Sequence, residues 1–335
     1  MSIHPFPDWR HSLRRAVLAA ALVPASATAQ PSLPPDTVTT ALDGDTIPRL
    51  GAVGGVAVDA AGFVYFADFR DRLWRYLPGK TIELVAEGLY GASGLAVGPG
   101  GEIYQSSFFG NSISRIARDG RIAALATSGL SGPVGIAVGG GGELYVCNCS
   151  NSTISRVDTT GRAAPFAAGA LFACPNGIAI DDRGDLFVAN YSNTTVVKIT
   201  PDGTASVHAD LPGGGGNTHI AFGNGGLYVT KYRSHQVFRV ERDGTARLVA
   251  GTGARGADDG PALTARLSQP NGIAVGPNGR DLWFNELVSG EALFGGDARA
   301  RLRRIRLVGL REVLAAAEPT AAAVEATYRR YRSAR

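Results

Sequence analysis

Polar and apolar residues follow one short pattern again and again along this chain. The clearest copy is Pro175-Asn176-Gly177-Ile178-Ala179-Ile180, then Asp181-Asp182-Arg183-Gly184, then the β-rich run Asp185-Leu186-Phe187-Val188-Ala189-Asn190. In general form this is G-[ILV]-A-[VIF], a few turn residues with a glycine, and an apolar run ending on a polar residue. Further copies begin at Gly55, Gly94, Gly135, His219 (in place of the glycine) and Gly272. Six copies at a period of about 40 residues, each with room for several short strands, predict an all-β, six-bladed β-propeller. The first copy supplies an inner strand A at Gly55–Val58, B at Phe63–Ala67, C at Leu73–Leu77 and an outer D at Ile82–Ala86. Turns such as Arg118-Asp119-Gly120 and Pro201-Asp202-Gly203 join C to D, with glycine supplying the positive φ.

The sixth copy has A (Ile273–Val275), B (Asp281–Phe284) and C (Leu302–Leu307) but no D. Thr37-Val38-Thr39-Thr40-Ala41-Leu42 alternates at period two as a strand does, and it fits that vacancy. The ring is thus expected to be closed by an N-terminal strand, which removes two open sheet edges. The propeller is assigned to residues 31–308. After Val308-Gly309 the pattern turns Ala-rich over Leu310–Glu318 and Thr320–Tyr331, with Pro319 between them at a helix-start position. Residues 309–335 therefore read as a basic helical tail of one or two short helices, with a frayed end as the competing reading.

Residues 1–30 read as an export signal: Arg14-Arg15, the apolar run Ala16–Val23, then the small-x-small pattern Ala27-Thr28-Ala29. A Sec-type signal fits better than a twin-arginine one, and the mature chain is expected in the periplasm or outside the cell. No run approaches the roughly 18 apolar residues of a membrane span. The formal net charge of +4 misleads, because arginines crowd the two ends and the part between them is mildly acidic. That balance argues against nucleic acid as the ring's partner. The basic tail is either a solvated end or a contact to a protein or an anionic envelope surface.

Residues 250–275 carry a recognisable series. It runs Ala250-Gly251-Thr252-Gly253, Gly256, Asp259-Gly260, Ala265-Arg266-Leu267 and Pro270-Asn271-Gly272-Ile273-Ala274-Val275. This resembles the NHL repeat, and the recurring elements cover residues 50–308. The wider group of similar six-bladed propellers includes gluconolactonase/regucalcin-like lactonases, strictosidine-synthase-like enzymes, peptidyl-amidoglycolate lyases and non-catalytic NHL domains. The resemblance implies the fold and several functions without choosing among them. Asn176 and Asn271 match the lactonases' asparagine before an inner-strand glycine. Those lactonases also need a Glu before the first inner strand and an Asp before a later one, where this chain has Gly54 and Asn271.

In such a ring, the residue just before A and the residue just after B share one face beside the central channel. The post-B positions are Asp68, Ser107, Asn148, Asn190, Lys231 and Glu286; the pre-A positions are Gly54, Ser93, Val134, Asn176, Thr218 and Asn271, with His219 beside Thr218. A channel mouth ringed by carboxylates, amides, a lysine and a histidine is the expected small-molecule site. Glu286 and His219 are the candidate acid/base pair; Asp68, Ser107, Asn148, Asn176, Asn190, Lys231 and Asn271 would bind the ligand. Post-strand Asp and Asn also cap turns by bonding nearby backbone, so a purely structural role competes. Phe69, Phe108, Cys149, Tyr191, Tyr232 and Leu287 follow the ring positions and either line the mouth or pack its loops. The long connections Gly251–Gln269 and Val288–Arg301 fall on the same face, and the second reads as a partial lid or as irregular packing.

Asp68 and Glu286 become neighbours where blade six meets blade one, and two carboxylates with amides nearby suit a divalent cation such as Ca²⁺ or Mg²⁺. Cys149 follows B of blade three and Cys174 precedes A of blade four, on one face of adjacent blades, so a Cys149–Cys174 disulfide is expected. Cys147 then remains a buried thiol. The favoured function is a lactonase-, esterase- or lyase-type enzyme. The competing one is a non-catalytic binding or scaffold propeller that meets a protein, glycan or cell-wall ligand.

Overall fold

The computed structural model describes residues 36–43, 53–79, 82–289 and 299–307. The export segment 1–30, the tail 309–335 and the middle of the proposed lid, 290–298, lie outside the described residues. Among those described, no helix is long and apolar enough to cross a membrane. The strands form six antiparallel sheets, five of four strands and one of five. Each is one blade, ordered A-B-C-D from the axis outwards.

The inner strands are Val53–Val58, Ala92–Val97, Pro133–Val138, Pro175–Ile180, Asn217–Gly223 and Pro270–Val275. Glycine recurs in them because they nearly touch around the axis. A Cβ built on Gly55 would lie 3.1 Å from the Gly94 Cα, and one on Gly135 would lie 3.0 Å from the Gly177 Cα. Side chains elsewhere in a blade point to the neighbouring blades, not down the channel. Ala179, Phe187 and Ala189 of blade four, for example, pack with Ile220, Leu227 and Val229 of blade five.

Blade six is closed as expected. Its A, B and C strands are Pro270–Val275, Asp281–Ser289 and Arg299–Arg306, and Thr37–Leu42 is added outside C with Val38 opposite Ile305. A fifth strand, Gly260–Pro261, pairs in turn with Thr37 and Val38. The connection Gly251–Gln269 starts and ends on the ligand face, where the Gln269 N–H donates to His235 Nδ1, and its middle straps the outer edge of this sheet. Ala262, Ala265 and Leu267 are buried with Val38. Asp259 accepts hydrogen bonds from the Thr40 N–H at 2.9 Å and hydroxyl at 2.8 Å. Beneath the strap lies the fully buried Arg303. It donates to Glu286 Oε1 at 2.6 Å, to the Asp258 carbonyl at 2.7 Å and to Asp259 Oδ1 at 3.1 Å.

Candidate functional site

The post-B residues do not face the channel. Each is buried and sits opposite the first residue of its own A strand, as Asn148 does opposite Pro133. In five of the six the side chain turns into the connection that leads into the blade, while Asp68 turns into its own B-to-C turn. Asn148 Oδ1 accepts from the Ser131 N–H at 3.0 Å and Asn190 Oδ1 from the Ala173 N–H at 3.1 Å. Lys231 Nζ donates to the Pro212 and Gly213 carbonyls at 2.7 and 2.6 Å. Ser107 donates to the Tyr90 carbonyl. Glu286 accepts from the Ser268 N–H at 2.9 Å and from Arg303. Asp68 accepts from the Asp71 and Arg72 N–H groups and from Arg72 Nε at 2.7 Å. The residue type follows what each connection offers: amides and carboxylates meet N–H groups, while lysine and serine meet carbonyls.

This corrects the sequence reading for all six. Asp68, Ser107, Asn148, Asn190, Lys231 and Glu286 are clamps inside the fold, and none lines the cavity. Glu286 is fully buried, bonded to Ser268 and Arg303, and is not part of the cavity wall. Burial raises its carboxyl above the ordinary value, against the opposing pull of Arg303 and the Ser268 N–H.

The mouth is lined instead by five of the six pre-A residues, with Val53 in place of Gly54, and by residues that follow the clamps. The cavity encloses roughly 600 Å³ of non-atom space, part of it open to solvent. Ser93, Asn176, Thr218, His219 and Asn271 supply its polar atoms; Val53, Val134, Phe69, Phe108, Tyr191 and Tyr232 supply apolar wall, and Cys149 and Cys174 complete it. Of the residues following the clamps, Leu287 alone is absent from the wall, being fully buried in the core between blades six and one. The signal the sequence carries for this wall is that the residue after each clamp has opposite parity and is aromatic in four of the six blades.

Two of the polar groups are occupied by the fold. The Thr218 hydroxyl bonds to Thr230, and Asn271 Nδ2 donates to the Val53 and Gly54 carbonyls at 2.8 and 3.0 Å. Asn176 Oδ1 is buried with no partner. His219 stands where the other five inner strands have glycine, which places an imidazole in the layer where those strands carry no side chain. It is 9% exposed, and only its backbone is engaged, by the Thr230 hydroxyl. Burial lowers its pKa to about 4, so the ring is neutral at neutral pH. Burial also raises Tyr232, with a smaller push from Tyr191 and an opposing pull from Arg255, so its hydroxyl stays protonated.

A hard divalent cation prefers carboxylate oxygen. The expected pair, Asp68 and Glu286, is spent on Arg72 and Arg303, and the cavity wall holds amides, hydroxyls and one imidazole but no carboxylate. Among the described residues no group of three or more His, Cys, Asp or Glu is placed to hold a metal. These donors do not fit Ca²⁺ or Mg²⁺.

Cys149 and Cys174 form a disulfide across a sequence separation of 25, joining blades three and four at the rim. Cys147 is a buried thiol that donates to the Gly177 carbonyl. The denatured, unreduced chain is expected to titrate one thiol and the reduced chain three. Cys149→Ser is expected to lower stability by roughly 3 kcal/mol on the chain-entropy account, read from urea midpoints. Three thiols before reduction would contradict both.

No curated protein sequence matches the chain. Solved structures share its fold. A catalytically inactive histidine-to-alanine variant of virginiamycin B lyase from Staphylococcus aureus, with quinupristin, matches at TM-score 0.57 and 20% identity, over 78% of this chain and 83% of that one. A gluconolactonase from Xanthomonas campestris matches at TM-score 0.61 and 16% identity, over 81% and 97%. A chain of a nidogen/laminin complex matches at TM-score 0.52 and 20% identity, over 57% and 76%. The propeller thus has both enzymes and a protein–protein complex among its structural relatives. The family model for virginiamycin B lyase matches residues 79–293, from the end of blade one into blade six, and the chain belongs to the virginiamycin B lyase family.

Proposed function

We propose that this chain is an exported lyase that opens an ester of a small, largely apolar molecule held in the channel mouth. The observation that carries the reading is His219, a neutral imidazole without a side-chain partner, at the one inner-strand position where glycine is replaced. The family's lyase description and the lactone-cleaving structural relative support ester or lactone chemistry. The Cys149–Cys174 bridge supports an oxidising compartment, in line with the export reading of residues 1–30.

In an elimination, an imidazole nitrogen of His219 takes the proton from the carbon next to a carbonyl. The released electron pair forms a carbon–carbon double bond, and the ester C–O bond one carbon further on breaks. The departing carboxylate keeps the bonding pair. Tyr191 and Tyr232 belong to the cavity wall, and their hydroxyls are the donors that would meet the oxygens on which charge grows. A concave mouth with a few polar groups set in an apolar wall suits a small ligand, and no cation takes part in this scheme.

The test is the mass of the product. Incubation with a cyclic depsipeptide such as quinupristin, and with a panel of aryl esters and simple lactones, is expected to give an opened product whose mass equals that of the substrate. A product heavier by one water would replace the lyase with a lactonase. The weak basicity of an imidazole with pKa about 4 favours a second reading, a binding propeller, and that reading takes over if no ester in the panel turns over.

A further inference from the structure

The connection from the outer strand of blade four to the inner strand of blade five runs Leu211-Pro212-Gly213-Gly214-Gly215-Gly216. Its ends are fixed. Leu211 is buried in the core between the two blades, and its N–H donates to the Thr194 carbonyl at 2.9 Å. The Gly216 N–H donates to the Tyr191 carbonyl at 2.7 Å, and the Tyr232 N–H donates to the Gly216 carbonyl at 2.9 Å. Gly216 thus bridges the two tyrosines of the cavity wall. Between those ends, among the described residues, the loop receives two hydrogen bonds, and both come from Lys231 Nζ.

A lysine is needed there because Pro212 has no N–H to offer a carboxylate or an amide, so the clamp must donate to carbonyls. The result is a fully buried ammonium held by two carbonyls of an exposed loop, with burial pulling its pKa down against Asp210. Glycine has a static reason at three of the four positions. Gly213 and Gly216 hold φ of +73° and +98°, and a Cβ on Gly215 would lie 3.2 Å from the Tyr191 carbonyl oxygen. Gly214 has neither reason: its φ is not in the left-handed region, and a Cβ there would meet nothing within 4 Å. A glycine that neither packing nor backbone sign requires contributes backbone freedom alone.

We propose that Lys231 is the latch of a flap formed by residues 212–216. With its two bonds made, Gly216 holds Tyr191 and Tyr232 in a closed wall; with them released, the loop lifts and that side of the mouth opens. Lys231 lies outside the cavity wall and acts through the loop, as a positioning residue. This rests on the channel mouth being the functional site, and it adds how that mouth is entered.

Two readouts on the full chain test it without turnover. One is hydrogen–deuterium exchange of the amides of residues 213–216. The other is the rate at which an uncharged phosphine reduces the Cys149–Cys174 bridge. That bridge belongs to the same wall, and the Tyr191 N–H donates to the Cys174 carbonyl at 3.0 Å, so its reduction reports access to the mouth. Lys231→Met removes two charge-assisted hydrogen bonds and is expected to speed exchange in the loop at least about tenfold, with faster reduction of the bridge. Gly214→Ala restricts the lifted loop and is expected to slow both by roughly two- to fivefold. A lysine that only supports the fold gives a different pattern: Lys231→Met then speeds exchange equally through the strands of blades four and five, and Gly214→Ala changes neither rate. Either result overturns the proposal, as does unchanged loop exchange in Lys231→Met. If Lys231→Met does not fold, Gly214→Ala decides alone. A chain that opens no ester ends the lyase reading and leaves these two rates as the test of the flap.

Discussion

His219→Asn is expected to lower kcat/KM on any ester the chain opens by roughly two to four orders of magnitude, the usual contribution of a positioned proton acceptor. The wild-type profile of kcat/KM should fall only as pH drops through about 4, because burial holds the ring's pKa there rather than at 6.5. An acid limb centred near 6.5 would contradict the burial argument. Turnover retained within tenfold in His219→Asn would remove the base from the mechanism. The same shift has a signature in stability. Above pH 6.5 the imidazole is neutral in both folded and unfolded chains and costs nothing. Between about 6.5 and 4 the unfolded chain takes up a proton that the native ring refuses, so stability falls with pH, and below about 4 the loss levels off. The whole effect is at most about 3 kcal/mol. His219→Asn should lack it, so its urea midpoint should change less between pH 7 and pH 4 than the wild-type midpoint does.

Arg303→Leu is expected to destabilise the ring by roughly 3–5 kcal/mol, the cost of leaving a buried charge without its partner. Its guanidinium joins Glu286 on strand B of blade six to Asp258 and Asp259 on the strap. Glu286 would keep only the Ser268 N–H, since its side chain is fully buried. The paired change Arg303→Leu/Glu286→Leu should recover much of the loss, because an apolar replacement of a whole buried pair is often near neutral. Urea unfolding of the three proteins decides it. A single variant within about 1 kcal/mol of wild type would show that the network carries little of the closure.

The blade count and the N-terminal closing strand were legible because they rest on repetition and on a vacancy. The glycine of each repeat is needed where one inner strand passes the next, as Gly135 passes Gly177, so the motif reports the ring's geometry directly. His219 stood out for the same reason. The ring of Asp68, Asn148, Asn190 and Glu286 misled because polar residues at the end of a strand look alike whether they face a channel or hold a loop. Parity along one strand does not say which neighbouring connection the side chain will meet. The aromatic residues one place further on carried the useful signal, and nothing in one chain's pattern separates a ligand wall from loop packing. The strap over Thr37–Leu42 was hidden too, since its two-residue strand is too short to leave a period.

The pairing of Thr37–Leu42 with Arg299–Arg306 ties the earliest folded segment to almost the latest. During synthesis the first strand emerges long before its neighbour exists, and five blades can assemble while it waits. The final zipping step is the most non-local contact in the ring, and such contacts are the slow ones in folding. A chain cut short before residue 299 would keep most of its sheets and still leave a seam with two unsatisfied edges, the geometry from which aggregates grow.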